Sequence, residues 1–144
     1  MRGYDTISSA VTAAETGHLV LSTLHTNNAA QTIDRIIDSF PAGQQDQVRV
    51  QLAGSLAGIL SQRLIPRISG GRVPAYEVLI NNAAVANLIR EGRTHEINTV
   101  IQTGTQDGMI DMDRSLAELV QKGEITVEHA YERALDPRVF ERYL

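Results

Sequence analysis

His18-Leu19-Val20-Leu21-Ser22-Thr23-Leu24-His25-Thr26-Asn27-Asn28 is the stretch on which the fold turns. From His18 to Leu24 the run is apolar apart from small hydroxyl side chains. It is too short for a typical helix and reads as a strand buried on both faces, as parallel sheets require. Gly17, just before it, suits the left-handed position that closes a helix. That preceding helix carries Ile7, Ala10, Val11 and Ala14 at i, i+3, i+4 and i+7, with Asp5 placed to cap it. Asn27 or Asn28 caps the next helix, whose stripe is Ala29, Ile33, Ile36, Ile37 and Phe40 and which stops before Pro41. A doubly buried strand needs neighbours for its backbone groups and for both its faces. The first third of the chain therefore reads as the rear of a larger α/β domain.

Working outward, the spacing predicts a helix over 44–61 with Val48, Leu52, Leu56, Ile59 and Leu60 on one face. Gln62–Ile68 and Val73–Ile80 read as two strands joined across Ser69-Gly70-Gly71-Arg72, a hairpin signal. Beyond Asn81 the pattern is helical throughout, punctuated by Gly92, Gly104, Gly108 and Gly123. The expected division is 1–80 for the α/β part and 81–144 for a small all-helical domain.

Composition narrows the chemistry. The 144 residues are 42% hydrophobic and 21% charged, an ordinary globular balance. No apolar run approaches the roughly 18 residues of a membrane span, and the N-terminus has no secretory pattern. The absence of cysteine excludes a disulfide scaffold and any cysteine-built zinc site. A formal charge of −4 is the wrong sign for a general nucleic-acid binder. The helices over 112–120 and 127–135 imitate a helix-turn-helix, but Glu118, Glu124, Glu128 and Glu132 would repel DNA phosphates.

Motifs for a self-sufficient catalytic site are missing. A phosphate-cradling loop needs lysine after glycine and before a hydroxyl residue. The single lysine, Lys122, stands between Gln121 and Gly123. His95-Glu96 begins a helical zinc motif, but its fifth position is Thr99 instead of histidine. Asp111 and Asp113 precede or open a helix, where aspartates serve as caps and dipole partners, so no metal site is expected. His25 is the most suggestive residue. At the carboxyl end of a strand and ahead of a helix, its imidazole and the Thr26 hydroxyl are placed to hydrogen-bond a terminal phosphate. The competing reading is a histidine that closes a strand and bonds local backbone. Asn87-Leu88-Ile89-Arg90-Glu91 is an amphipathic helix end whose polar face, taken alone, is a solvated surface.

These segments together resemble the type IV pilus retraction ATPases, within the secretion-ATPase superfamily. Ala13 to Asn27 looks like that superfamily's histidine box and the helix before it. Thr32-Ile33-Asp34-Arg35-Ile36-Ile37-Asp38, Phe40-Pro41, Ser61-Gln62-Arg63-Leu64, Gly71-Arg72-Val73 and Glu77-Val78-Leu79 extend the likeness. So do Ile101-Gln102-Thr103-Gly104, Gly108-Met109 and Met112-Asp113. Asn87 to Glu91 matches the tail of the retraction family's signature helix, although Ala84, Val85 and Ala86 replace its first residues. Met1-Arg2 aligns with the end of the second acidic motif, and Gly3 replaces its aspartate. The four-cysteine zinc insertion of many assembly and secretion relatives is absent.

The resemblance implies an α/β fold: the C-terminal portion of a RecA-like P-loop NTPase core (partial sheet plus hairpin), followed by the helical domain. It implies a cytoplasmic homo-hexameric ring, peripheral to the inner membrane at the pilus base, that binds ATP and Mg2+ mainly through an N-terminal part carrying the phosphate loop and catalytic glutamate. It would retract pili for twitching motility against an inner-membrane platform protein. His25 and Thr26 would then be the catalytic and nucleotide-facing residues, and Asn87, Leu88, Ile89, Arg90 and Glu91 the coupling motif. A pilus-assembly or type II secretion ATPase, or a non-catalytic interaction module, are the alternatives.

Overall fold

The computed structural model describes residues 3–144, and the likeness at Met1-Arg2 lies outside the described residues. The chain divides into two compact units, each built from separated stretches. One combines the chain up to Gly58 with Ile80–Val100; the other combines Ile59–Leu79 with Ile101–Leu144.

The first unit is helical. It holds α1 (Tyr4–Glu15), α2 (Ala29–Asp38), α3 (Gln45–Ser55), α4 (Ala83–Arg90) and a 3-10 turn over Thr94–Glu96. The α3 helix packs on α1, α2 and α4. Their inward faces are Ile7 and Val11, Ile33, Ile36 and Ile37, Val48 and Leu52, and Val85 and Ile89, all buried. Full burial of such side chains is worth about 1.5–3 kcal/mol each. The α2 stripe read from spacing is thus the packed face. Its helix stops at Asp38, and Phe40 stays in the core with the Tyr4 ring edge-on at 5.2 Å.

Three expectations are corrected here. The first concerns α1, which starts one residue before Asp5: Gly3 is the N-cap, extended and without a side-chain cap bond. Asp5 sits in the first turn instead. The second concerns α3, which ends at Ser55 and does not run on to 61. Leu56 turns extended, and the Asn81 side-chain amide donates to the carbonyls of Ala53 (2.9 Å) and Leu56 (2.8 Å), closing the helix end. Gly58 then opens a strand, where alternation replaces the helical period. The third is the stretch 18–24, which forms no strand. Leu19 is 87% exposed and Leu21 86% exposed. Burial on both faces requires flanking strands, and the described sheet has two strands, Gly58–Pro66 and Arg72–Ile80, neither of them paired with 18–24. Gly17 does take the left-handed conformation, at φ 97°.

The second unit contains most of the hairpin of β1 (Gly58–Pro66) and β2 (Arg72–Ile80). The helix α5 (Ile97–Thr103) leads into it, followed by α6 (Met112–Gln121), α7 (Val127–Arg133) and α8 (Pro137–Tyr143). At the hairpin turn Gly70 (φ 110°) and Gly71 (φ 68°) both occupy positive φ, a region costly for other residues. On β2 the period of two is explicit: Val73, Ala75, Glu77 and Leu79 are buried, and the residues between them face outward. Ile65, Val73 and Ala75 pack against Met112, Leu116, Ile125, Ala130 and Phe140 to make the core. Arg67 pairs with Glu124 at 2.8 Å, and the Ile68 N–H donates to the Glu124 carbonyl at 2.9 Å, tying the hairpin to the α6–α7 connection. The outer face of the hairpin and α6 enclose an open cavity of about 540 Å³, lined among others by Leu60, Tyr76, Leu119 and Lys122. No helix among the described residues is long and apolar enough to cross a membrane.

Candidate functional site

The approach to α2 is built from hydrogen bonds, because no ladder holds it. His18 Nδ1 lies 3.3 Å from the Ala13 carbonyl, anchoring the start of the extended run to the end of α1. His25 is exposed at the other end and Thr26 is half-buried. Asn28, not Asn27, is the N-cap, its side-chain oxygen accepting from the Gln31 N–H at 2.9 Å. The Gln31 side chain reaches back to accept from the Asn27 N–H at 3.1 Å. These reciprocal bonds satisfy donors that a helix start otherwise leaves unpaired. They also occupy N–H groups that a bare helix terminus would offer an anion.

The second candidate element is α4. Asn82 caps it by accepting from the Val85 N–H at 2.9 Å. Ile89 is fully buried and Leu88 half-buried, whereas Asn87, Arg90 and Glu91 are exposed. Arg90 donates to the Asn87 side-chain oxygen at 2.8 Å, so the two polar residues of the motif form one surface pair. Glu91 accepts from Arg93 at 2.8 Å. Arg93 also grips Glu96 with two guanidinium nitrogens, one of them on Oε1 at 2.7 Å. The bonds to Glu96 and then Glu91 push the Arg93 guanidinium further above its ordinary value, and its contact holds Glu96 below the usual carboxylate range.

His25 and Thr26, in the irregular run ahead of α2, and Asn87 to Glu91, at the end of α4, thus belong to the same compact unit but to different segments of it. The turn after α4 touches α2. There the buried Thr94 hydroxyl donates to the Asp34 carboxylate at 2.6 Å. The sequence pattern assigns no role to Thr32, Asp34, Arg93 or Thr94. Only the Arg93–Glu96 spacing of i, i+3 carried a signal; Asp34 and Thr94 are too far apart in sequence to be paired by pattern.

Asp111 and Asp113 are both engaged by hydrogen bonds. Asp111 caps α6, accepting from the Arg114 N–H at 3.3 Å, and also accepts from the Tyr143 hydroxyl at 3.0 Å. Asp113 is buried and accepts from the backbone N–H groups of Leu135 (2.7 Å) and Asp136 (3.1 Å). Burial raises the Asp113 pKa above the ordinary value, while those two bonds pull the other way. No cluster of three or more metal-ligating side chains occurs among the described residues.

The chain is similar to known proteins along most of its length. Residues 1–70 match the family described as "Type II/IV secretion system protein". The chain is 53% identical over 135 residues to a "Twitching motility protein" of Neisseria gonorrhoeae, covering 93% of this chain and 36% of that one. It is 50% identical over 140 residues to the "Type IV pilus retractation ATPase PilT" of Pseudomonas aeruginosa, covering 97% of this chain and 41% of that one. The structure of the pilus retraction motor PilT with bound ADP superimposes with a TM-score of 0.89 at 49% identity, over 99% of this chain and 40% of that one. The chain thus spans about two fifths of the length of the relatives it matches. With about half of its residues identical over nearly its whole length, the chain corresponds to one portion of these pilus retraction proteins, and its first 70 residues match the type II/IV secretion family.

Proposed function

We propose that this chain works as the C-terminal part of a hexameric motor that hydrolyses ATP to retract type IV pili, powering twitching motility. The observation that carries the reading is the match of almost the entire chain to a retraction motor that holds ADP. ATP and Mg2+ bind mainly through residues outside this chain. His25, exposed ahead of α2, lies near the terminal phosphate, with Thr26 beside it. The Asn87–Arg90 pair on α4 faces a neighbouring subunit or the inner-membrane platform protein. The motor acts in the cytoplasm at the base of the pilus.

The test replaces the matching segment of the Pseudomonas aeruginosa motor with this chain and follows ATP hydrolysis and twitching. The hybrid is expected to do both. His25→Ala in the hybrid lowers hydrolysis by about tenfold, the loss of a charge-assisted hydrogen bond of roughly 1.5 kcal/mol at a reacting phosphate. Arg90→Ala keeps hydrolysis and loses twitching. Normal hydrolysis by the His25 variant would leave His25 a residue of local role in the run ahead of α2. Normal twitching by the Arg90 variant would remove the coupling role from α4.

A further inference from the structure

Behind His25, the hydroxyl protons can be placed by counting. Thr32 Oγ1 lies 2.9 Å from the Asn28 carbonyl oxygen and 2.5 Å from Thr26 Oγ1. A hydroxyl has one proton and a carbonyl can only accept, so the Thr32 proton goes to Asn28. The contact between the two threonines is then closed only by the Thr26 proton. The order Thr26 O–H to Thr32 O–H to Asn28 C=O follows, on a helix face where Thr32 is 8% exposed. The Asn28 carbonyl also accepts from the Thr32 N–H at 3.1 Å, which engages both of its lone pairs.

Thr26 is left with lone pairs alone facing outward. Lone pairs repel an anionic oxygen, so Thr26 offers no proton to a phosphate while the relay stands. We infer that Thr26 and Thr32 are a positioning pair: their hydroxyl relay fastens the residue after His25 to α2 and presents the imidazole from a fixed backbone. The inference rests on the reading of His25 as the nucleotide-facing group and divides the labour there. His25 meets the phosphate; Thr26 and Thr32 do not.

The experiment uses the 144-residue chain, assigned by NMR, with Thr26→Val, Thr26→Ser, Thr32→Val, Thr32→Ser and the double valine variant. Without nucleotide, Thr26→Val speeds exchange of the Thr32 amide by roughly five- to tenfold, the effect of one lost neutral hydrogen bond. Thr32→Val has a larger effect, because it breaks two contacts, and adding Thr26→Val to it changes nothing further. Both valine variants raise the mobility of the His25 backbone on the nanosecond scale, and both serine variants restore it. Independent, additive effects of the two valines, or an unchanged His25, would overturn the inference.

Titration of the hybrid motor of the preceding section with Mg·ATP, with its histidine and threonine side chains isotope-labelled, then tests the division of labour. The His25 ring resonances are expected to shift while those of Thr26 stay in place. Thr32→Val weakens the response at His25 by about tenfold and Thr32→Ser rescues it. A Thr26 shift as large as that of His25 would show Thr26 turning to the phosphate and would sink the proposal. If Mg·ATP moves neither residue, the nucleotide reading of His25 fails in this chain. The positioning role then stands or falls on the nucleotide-free measurements.

Discussion

Replacing Asp113 by alanine removes the acceptor for two backbone N–H groups at the corner between α7 and α8, those of Leu135 and Asp136. Hydrogen bonds to a charged group contribute roughly 1.5–3 kcal/mol each, so the pair gives about 3–6 kcal/mol. Relief of the buried carboxylate offsets roughly 1–3 kcal/mol of that. Taken at the middle of each range, the expected net loss is about 2.5 kcal/mol, a large share of the roughly 5–15 kcal/mol that holds a typical domain. Asp113→Asn keeps one acceptor oxygen and turns its amide donors toward the other N–H, so it should lose about half as much. Urea unfolding followed by circular dichroism measures the loss. Hydrogen exchange locates it, and the faster-exchanging amides should fall in α6 to α8. The pH dependence gives a second check. Burial raises the Asp113 pKa in the folded chain, so its stabilising contribution is complete below the ordinary aspartate value of about 3.9 and fades as pH rises through the folded value. That fading should disappear in Asp113→Asn. An Asp113→Ala variant within about 0.5 kcal/mol of the parent would refute the argument that this carboxylate holds the corner.

Two further perturbations probe the same unit. Phe140 is fully buried and meets the Tyr131 ring edge-on at 4.9 Å, so Phe140→Ala should cost about 3–5 kcal/mol in urea unfolding, and a loss below about 1 kcal/mol would mean the core refills the space. Burial and the hydrogen bond to Asp111 push the Tyr143 hydroxyl up to about 12, so stability should fall as pH climbs from about 10 toward that value. Tyr143→Phe should abolish the slope, read from urea midpoints on either side of pH 10, and a slope that persists would assign it to other groups.

How much of this was legible in advance depended on whether the signal was local. The α2 stripe and its asparagine cap are set by residues within one short segment, each a turn or so from the next, and both reappear in the structure. The Gly70-Gly71 turn was legible because only glycine takes two consecutive positive φ values at little cost. The α3 terminus was not. Leu56, Ile59 and Leu60 continue the helical spacing, and what stops the helix is an amide from Asn81, well downstream. The stretch 18–24 was misread for a related reason: apolar sequence fixes a preference for burial, but neighbouring strands supply it. At the candidate site the sequence pointed to His25 and to α4. It was silent on the hydroxyl relay and on the Asp34–Thr94 bond, because side-chain hydrogen bonds leave no periodicity.

One feature of the groove between the hairpin and α6 lends itself to direct observation. Lys122, which lines it and is exposed, is the single lysine of the chain. Apart from the terminal amine, an amine-selective reagent therefore has one target, and that target borders the cavity. A fluorophore or isotope-labelled methyl group attached there would report on whatever enters or covers the groove, with no engineered cysteine and the terminal amine's signal alone to subtract. The scarcity of one residue type makes the chain a sensor with a single side-chain label.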